Sequence, residues 1–236
     1  MQTGETFKML IFIDIETTGL EKEDKIVSIG LVAVDGEKII KIYDEVNEGK
    51  KILPKASSIN HITNEMLKNK PKFIDSDAYK FLQEHNIETT TLIAHNIKFD
   101  IEKLTVCGFL FIGKMIDTLK VTKHLIPECE GFSLQLLRYE LKLYKLETEK
   151  LCSHHALGDA FVIKLLFDYL LDITTIEEMY QLSFKNILIQ QFKFGKYAGR
   201  DIEEISMYDR GYLEWMLANV IDLDEDLHYS INYYLK

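Results

Sequence analysis

Met9-Leu10-Ile11-Phe12-Ile13-Asp14-Ile15-Glu16-Thr17-Thr18-Gly19 passes from five consecutive apolar residues into two carboxylates separated by one isoleucine. An apolar run of that length reads as a buried strand, and strand side chains alternate faces. Asp14 and Glu16 therefore point one way, and Ile13 and Ile15 the other. Two carboxylates on one small patch repel, and each raises the other's pKa unless a positive partner neutralises them; a divalent cation is the commonest such partner. Solvated acids leading into a turn are the competing reading of this stretch alone.

Two later segments bear on the choice. Ala94-His95-Asn96-Ile97-Lys98-Phe99-Asp100 follows the short apolar run from Thr91 and places Asp100 in the first turn of a helix. His154-His155-Ala156-Leu157-Gly158-Asp159 opens the apolar helix Phe161 to Leu171. Residues four or five apart on a helix lie within about a turn and a half, so His154 can sit above a site that Asp159 faces. Taken singly, Asp100 also reads as an acid complementing a helix N-terminus, Asp159 as a solvated helix residue and His154 as a surface histidine. Together the segments supply four carboxylates and a histidine in a fixed order on one strand and two helices.

These three segments resemble the three exonuclease motifs of the DEDDh exonucleases, RNase H-like 3′-to-5′ nucleases. Ile59-Asn60-His61-Ile62-Thr63-Asn64-Glu65-Met66 and Ile116-Asp117-Thr118-Leu119 resemble intervening family segments, so the likeness spans about residues 9 to 171. Beyond it, Phe192-Lys193-Phe194-Gly195-Lys196-Tyr197-Ala198-Gly199-Arg200 and Asp209-Arg210-Gly211-Tyr212-Leu213-Glu214-Trp215 are similar to the small C-terminal region of exodeoxyribonuclease X.

The resemblance implies Asp14, Glu16, Asp100 and Asp159 as ligands of two divalent cations, Mg²⁺ with Mn²⁺ able to substitute, the ligands being hard oxygens. It implies His154 as general base, its five-residue offset to Asp159 matching the family where that of His155 does not. Thr17, Thr18, Gly19, Leu20 and Asn96 are implied as substrate-binding, with Leu20 wedging against a terminal base. The expected activity is hydrolysis of DNA from 3′ ends, single-stranded ends foremost, to nucleoside 5′-monophosphates. An RNA-trimming exonuclease, a proofreading subunit working with a polymerase or repair partner, and a non-catalytic nucleic-acid-binding module stay open as alternatives.

Composition sets the frame. The chain has 236 residues, 47% hydrophobic and 28% charged, as expected of a soluble globular protein with one sizeable core and a small appendage. No apolar stretch near the N-terminus is long enough for a signal peptide or a membrane span, which predicts a cytoplasmic protein. Cys107, Cys129 and Cys152 are widely spaced and form no Cys-x-x-Cys pair, which argues against a disulfide framework and a zinc site. The net charge of −10 is unusual for a nucleic-acid binder, but an unloaded metal site is itself acidic. It predicts weak, salt-sensitive binding without a long DNA track.

The expected architecture is α/β. Strands Met9–Asp14, Ile26–Val34 and Lys38–Val46 form an antiparallel meander, the last two joined at Asp35-Gly36. βα units follow, from the strand at Thr91 to the one ending at Asp117, giving an RNase H-like mixed sheet flanked by helices. The expected domains are 1–172 for the nuclease, 173–189 for a connecting helix, and 190–236 for a small module. In that module Lys193, Lys196, Tyr197 and Arg200 suit stacking on bases and pairing with phosphates. Partner docking and structural capping are its other readings.

Overall fold

A computed structural model describes residues 9–148, 151–221 and 223–236. The chain divides into two compact units, one through Ser183 and the other Phe184–Lys236.

The first unit begins with β1 (Met9–Thr17), β2 (Ile26–Asp35) and β3 (Lys38–Glu45), the expected meander. Then come α1 (Pro54–Asn60), α2 (Asn64–Leu67), a 3₁₀ turn Phe73–Asp75, and α3 (Asp77–Glu84), whose N-cap Ser76 accepts the Tyr79 N–H. β4 (Thr90–Ala94), α4 (Ile97–Val106), β5 (Lys114–Asp117) and α5 (Thr118–Leu125) form the βα part. They are followed by α6 (Leu134–Glu140), a 3₁₀ turn Leu143–Leu146, α7 (Ala156–Leu171) and α8 (Ile176–Ser183). The sheet order is β3-β2-β1-β4-β5, with β1 antiparallel to β2 and parallel to β4. β1 is thus the central strand, buried on both faces, as its unbroken apolar start requires.

Its alternation builds two cores. Ile11, Ile13 and Ile15 pack with Phe73, Leu104 and Phe109 on one face. Phe12 faces the other core with Ile93, Ile116 and Leu170, its ring 5.3 Å from that of Phe167 in an edge-on contact. Each such burial is worth about 1.5–3 kcal/mol, so one register of β1 against α7 is strongly favoured. Because Phe12 faces α7, Asp14 and Glu16 face it as well, further toward its N-terminus.

The expected connecting helix is not a connector. α8 packs on β5 and α5, Met179 is buried, and the Ser183 hydroxyl accepts the Asp117 N–H at 2.9 Å while donating to the Met179 carbonyl. The division between units accordingly falls after Ser183 instead of at residue 172.

The second unit contains α9 (Ile202–Tyr208), α10 (Arg210–Asn219) and α11 (Glu225–Tyr234). They close around Phe192, Tyr197, Ile202, Ile205, Leu213, Met216, Leu227 and Ile231. Asp226 and Ser230 on α11 accept the N–H groups of Ile187 and Ile189, tying the segment that opens the unit to that helix.

Candidate active site

Asp14, Glu16, Asn96, Asp100, His154 and Asp159 line one cleft of about 320 Å³, together with His95, Phe99 and Gln135. β1 delivers Asp14 and Glu16, both half-buried within the strand, which runs on to Thr17 through a register shift against β2. α4 delivers Asp100, buried in its first turn. α7 delivers Asp159 in its first turn, also buried.

How α7 comes so close is decided by β2. Gly30 pairs with Asp14 across the ladder, and a Cβ there would lie 2.2 Å from the Ala156 carbonyl carbon and the Leu157 nitrogen. Only a glycine lets the start of α7 rest on the sheet at this point.

The two histidines separate. His154 is exposed, sits at φ 57°, and donates its N–H to Asp159 Oδ2 at 2.8 Å. A left-handed histidine costs about a kcal/mol or more, tolerated where surrounding contacts fix it. Its ring nitrogen and carboxylate oxygens of Glu16 and Asp159 lie within 4.8 Å of one another. His155 instead caps α7, its Nδ1 accepting the Gly158 N–H, and stacks on Tyr43 with ring centroids 4.4 Å apart. It lines a different cavity, shared with Lys41, Cys152 and Phe161.

The acids strain one another. Burial, then the charges of Asp159, Asp100 and Glu16, hold the Asp14 carboxyl well above the usual range. Burial and Asp159 push Glu16 up to about 8. Asp100 is raised by burial, with Asp117 and Glu16 adding to it. Asp159 is pushed up by burial only to about 6, because the His154 N–H, Arg138 and Gln135 stabilise its anion. A buried set of hard oxygen donors with this much unrelieved repulsion suits divalent cations of the Mg²⁺ or Mn²⁺ type.

Beyond Glu16, the turn that holds Thr17, Thr18, Gly19 and Leu20 is internally braced. The Thr17 hydroxyl donates to the Gly19 carbonyl, and the Thr18 hydroxyl to Asp24 at 2.7 Å. Asp24 also accepts the Glu21 N–H and pairs with Lys50, while the buried Lys103 ammonium donates to the Glu21 carbonyl. Gly19 is needed because a Cβ would meet Asp24 Oδ2 at 2.4 Å. On this rigid frame Leu20 stands 82% exposed. Asn60 serves the same frame, donating to the Thr17 carbonyl.

At the other wall, Asn96 takes a left-handed conformation and donates its N–H to Asp117 Oδ1 at 3.0 Å. His95 donates from Nε2 to the Phe132 carbonyl at 2.7 Å, leaving Nδ1 facing the Thr118 hydroxyl, and burial lowers its pKa. It is a strut between β4, α5 and the segment before α6. No local signal in the sequence gives His95 this place, and none marks Gln135 or Arg138 as part of the cleft's surroundings.

In the second unit the expected nucleic-acid contacts are differently disposed. Tyr197 is a core residue whose hydroxyl donates to Asp209 at 2.6 Å. Lys196 pairs with the same carboxylate and lies over the Tyr197 ring; Arg200 pairs with Glu204. Lys193 is exposed. Phe184, Phe194, Tyr208, Trp215, Tyr229 and Tyr233 are the exposed aromatic residues of this unit.

A mixed sheet whose central strand brings two carboxylates to face two helix-borne ones is the arrangement of a nuclease. The family model described as Exonuclease matches residues 11–167, and the chain belongs to that family. A second model, Exodeoxyribonuclease X-like C-terminal, matches residues 192–220. Exodeoxyribonuclease 10 of Escherichia coli (strain K12) is 28% identical over 97% of this chain and 99% of its own. The DNA polymerase III subunit epsilon of Treponema pallidum (strain Nichols) is 34% identical over 65% of this chain and 72% of its own. Among solved structures, Exonuclease X in complex with 5′ overhanging duplex DNA superposes with a TM-score of 0.61 at 28% identity, covering 74% of this chain and 99% of that one. An Escherichia coli exonuclease I complex with single-stranded DNA, at 20% identity and TM-score 0.53, covers 70% of this chain and 43% of its own, and shares the fold. Among the described residues no helix is long and apolar enough to cross a membrane.

Proposed function

We propose that the chain is a metal-dependent exonuclease that removes nucleotides from DNA 3′ ends, single-stranded ends foremost, as nucleoside 5′-monophosphates. The observation that carries this reading is the convergence of Asp14, Glu16, Asp100, Asp159 and His154 on one cleft. Support comes from a relative named as an exodeoxyribonuclease that matches nearly end to end. The match to a polymerase epsilon subunit spans less of both chains, which favours a free-standing exonuclease over a proofreading subunit.

Asp14, Glu16, Asp100 and Asp159 would hold the cations. When bound, a pair of divalent ions supplies Lewis-acid polarisation of the phosphate, an acidified water and charge stabilisation at the leaving oxygen. His154, on the exposed side of the acid cluster, accepts the proton of the attacking water at a ring nitrogen. Water attacks phosphorus, the bond from phosphorus to the 3′ oxygen breaks, and the shortened strand keeps a 3′ hydroxyl. Leu20 presents an apolar edge beside the acids against which the terminal base packs. Strand binding is assigned to the catalytic cleft, and the exposed Lys193, Lys196 and Arg200, the last two in surface pairs with Asp209 and Glu204, stay candidates for a further phosphate contact.

The test is digestion of a 5′-labelled single-stranded DNA with Mg²⁺, beside matched RNA and the Asp14→Ala chain. A ladder receding from the 3′ end, absent with chelator and in Asp14→Ala, is expected. An intact DNA oligomer with Mg²⁺ and Mn²⁺ alike would refute the reading, and faster loss of RNA would reassign its substrate.

A further inference from the structure

The Asp159 carboxylate is held at both oxygens. Oδ2 accepts the His154 N–H at 2.8 Å, and Oδ1 accepts from the Gln135 side-chain amide at 2.5 Å. The other end of that amide meets Arg138, whose Nη1 lies 3.0 Å from Gln135 Oε1. A guanidinium can only donate, so the amide oxygen must face Arg138 and the amide nitrogen must face Asp159. Arg138 is fixed in turn by a two-pronged pair with Glu147, at 2.6 and 2.7 Å, both side chains being more than nine-tenths buried. Its Nη2 also reaches the Leu151 carbonyl at 3.2 Å, on the segment leading to His154.

We propose that the Gln135–Arg138–Glu147 relay positions the Asp159 carboxylate for cation binding, with Gln135 as the member that touches it. A direct Arg138–Asp159 pair would place a full positive charge where a metal ion must go. The neutral amide passes on orientation without that charge, and Glu147 balances the guanidinium behind it. Each Asp159 oxygen receives one N–H and keeps lone-pair capacity for a cation. The relay also couples α6 to α7 and to the His154 segment, so one network sets an acid and the histidine next to it. Outer partners of this kind are worth about 10- to 100-fold in metal affinity.

The inference rests on the metal-dependent reading above. Its test is titration of the whole chain with Mn²⁺, following the resonance of free Mn²⁺, with the melting temperature of each metal-free variant measured alongside. Gln135→Ala and the volume-preserving Gln135→Met are each expected to weaken Mn²⁺ binding at least tenfold. Their melting temperatures should stay within a few degrees of the native one, since Gln135 is only half-buried. Native affinity in both variants overturns the relay and leaves the metal reading intact. Loss in Gln135→Ala but not in Gln135→Met overturns it too, since the site would then need only filled space. A native chain that binds no Mn²⁺ removes the metal reading itself, and the relay with it.

Discussion

Gly30 supports the start of α7: its bare α-carbon lies under the Ala156–Leu157 peptide, where any side chain would collide with backbone. Because Gly30 is also the ladder partner of Asp14, this contact fixes how near Asp159 approaches the carboxylates of β1. Gly30→Ala is therefore expected to cost about 1–3 kcal/mol of stability, the usual range for overpacking. Lifting α7 also moves Asp159, so hydrolysis should fall under conditions where the variant is still fully folded. Thermal melting and initial rates on one preparation check both outcomes; full activity would show that the acids tolerate the displacement.

The two adjacent histidines should behave as differently as they are placed. His154→Ala is expected to lower the rate by about 10²–10⁴ with little change in melting temperature. His155→Ala removes the α7 cap and the stack on Tyr43, and should lower stability by about 1 kcal/mol while leaving the rate within a few fold. Reversed phenotypes would move the base to His155.

The metal-free protein should lose stability as pH rises. Glu16 titrates near 4.5 when unperturbed and at about 8 in the fold, and Asp159 moves from 3.8 to about 6. Between the unfolded and folded values the native state binds more protons than the unfolded chain, so unfolding free energy falls with pH across that window. The stabilising effect is complete below pH 4 and lost by about pH 8. Mg²⁺, which binds the ionised acids, should raise the melting temperature more at pH 8 than at pH 6. Calorimetry of the native chain and Glu16→Gln decides it: the variant should show a flatter profile, and an unchanged slope would rule Glu16 out as its source.

Much of the site could be read from the chain because its signals are local. The period of two in β1 sets Asp14 and Glu16 on one face, and a helix turn sets His154 against Asp159. Gly30 gave no signal, since its neighbour Ala156 is far along the chain and glycine in a strand is ambiguous. Gln135, Arg138 and Glu147 were equally silent, as ordinary polar residues whose partnership exists only once α6 meets α7. Ile173 to Phe184 has the composition of an exposed linker helix, yet Met179 and Ser183 dock it on β5 and α5. In the C-terminal unit, aromatic and basic residues interleave in a stacking surface and in a very small core alike, and Tyr197 belongs to the core.

Asp24 offers a way to ask whether Leu20 acts as a wedge. Its carboxylate takes the Thr18 hydroxyl, the Glu21 N–H and Lys50, and these partners, outweighing its desolvation, hold its pKa below the ordinary value. That side chain ties together the turn that projects Leu20, alongside the Thr17 hydroxyl on the Gly19 carbonyl and with Lys103 gripping the Glu21 carbonyl from inside. If Leu20 binds the terminal nucleotide, holding it in place beforehand saves ordering entropy, and Asp24→Ala should cost about 1 kcal/mol, roughly fivefold in kcat/KM. Leu20→Ala should cost a similar amount. The double variant separates a shared route from two independent ones: if Asp24 acts through Leu20, the pair loses no more than Leu20→Ala alone, whereas additive losses would assign Asp24 a separate role in holding β1 and its two carboxylates.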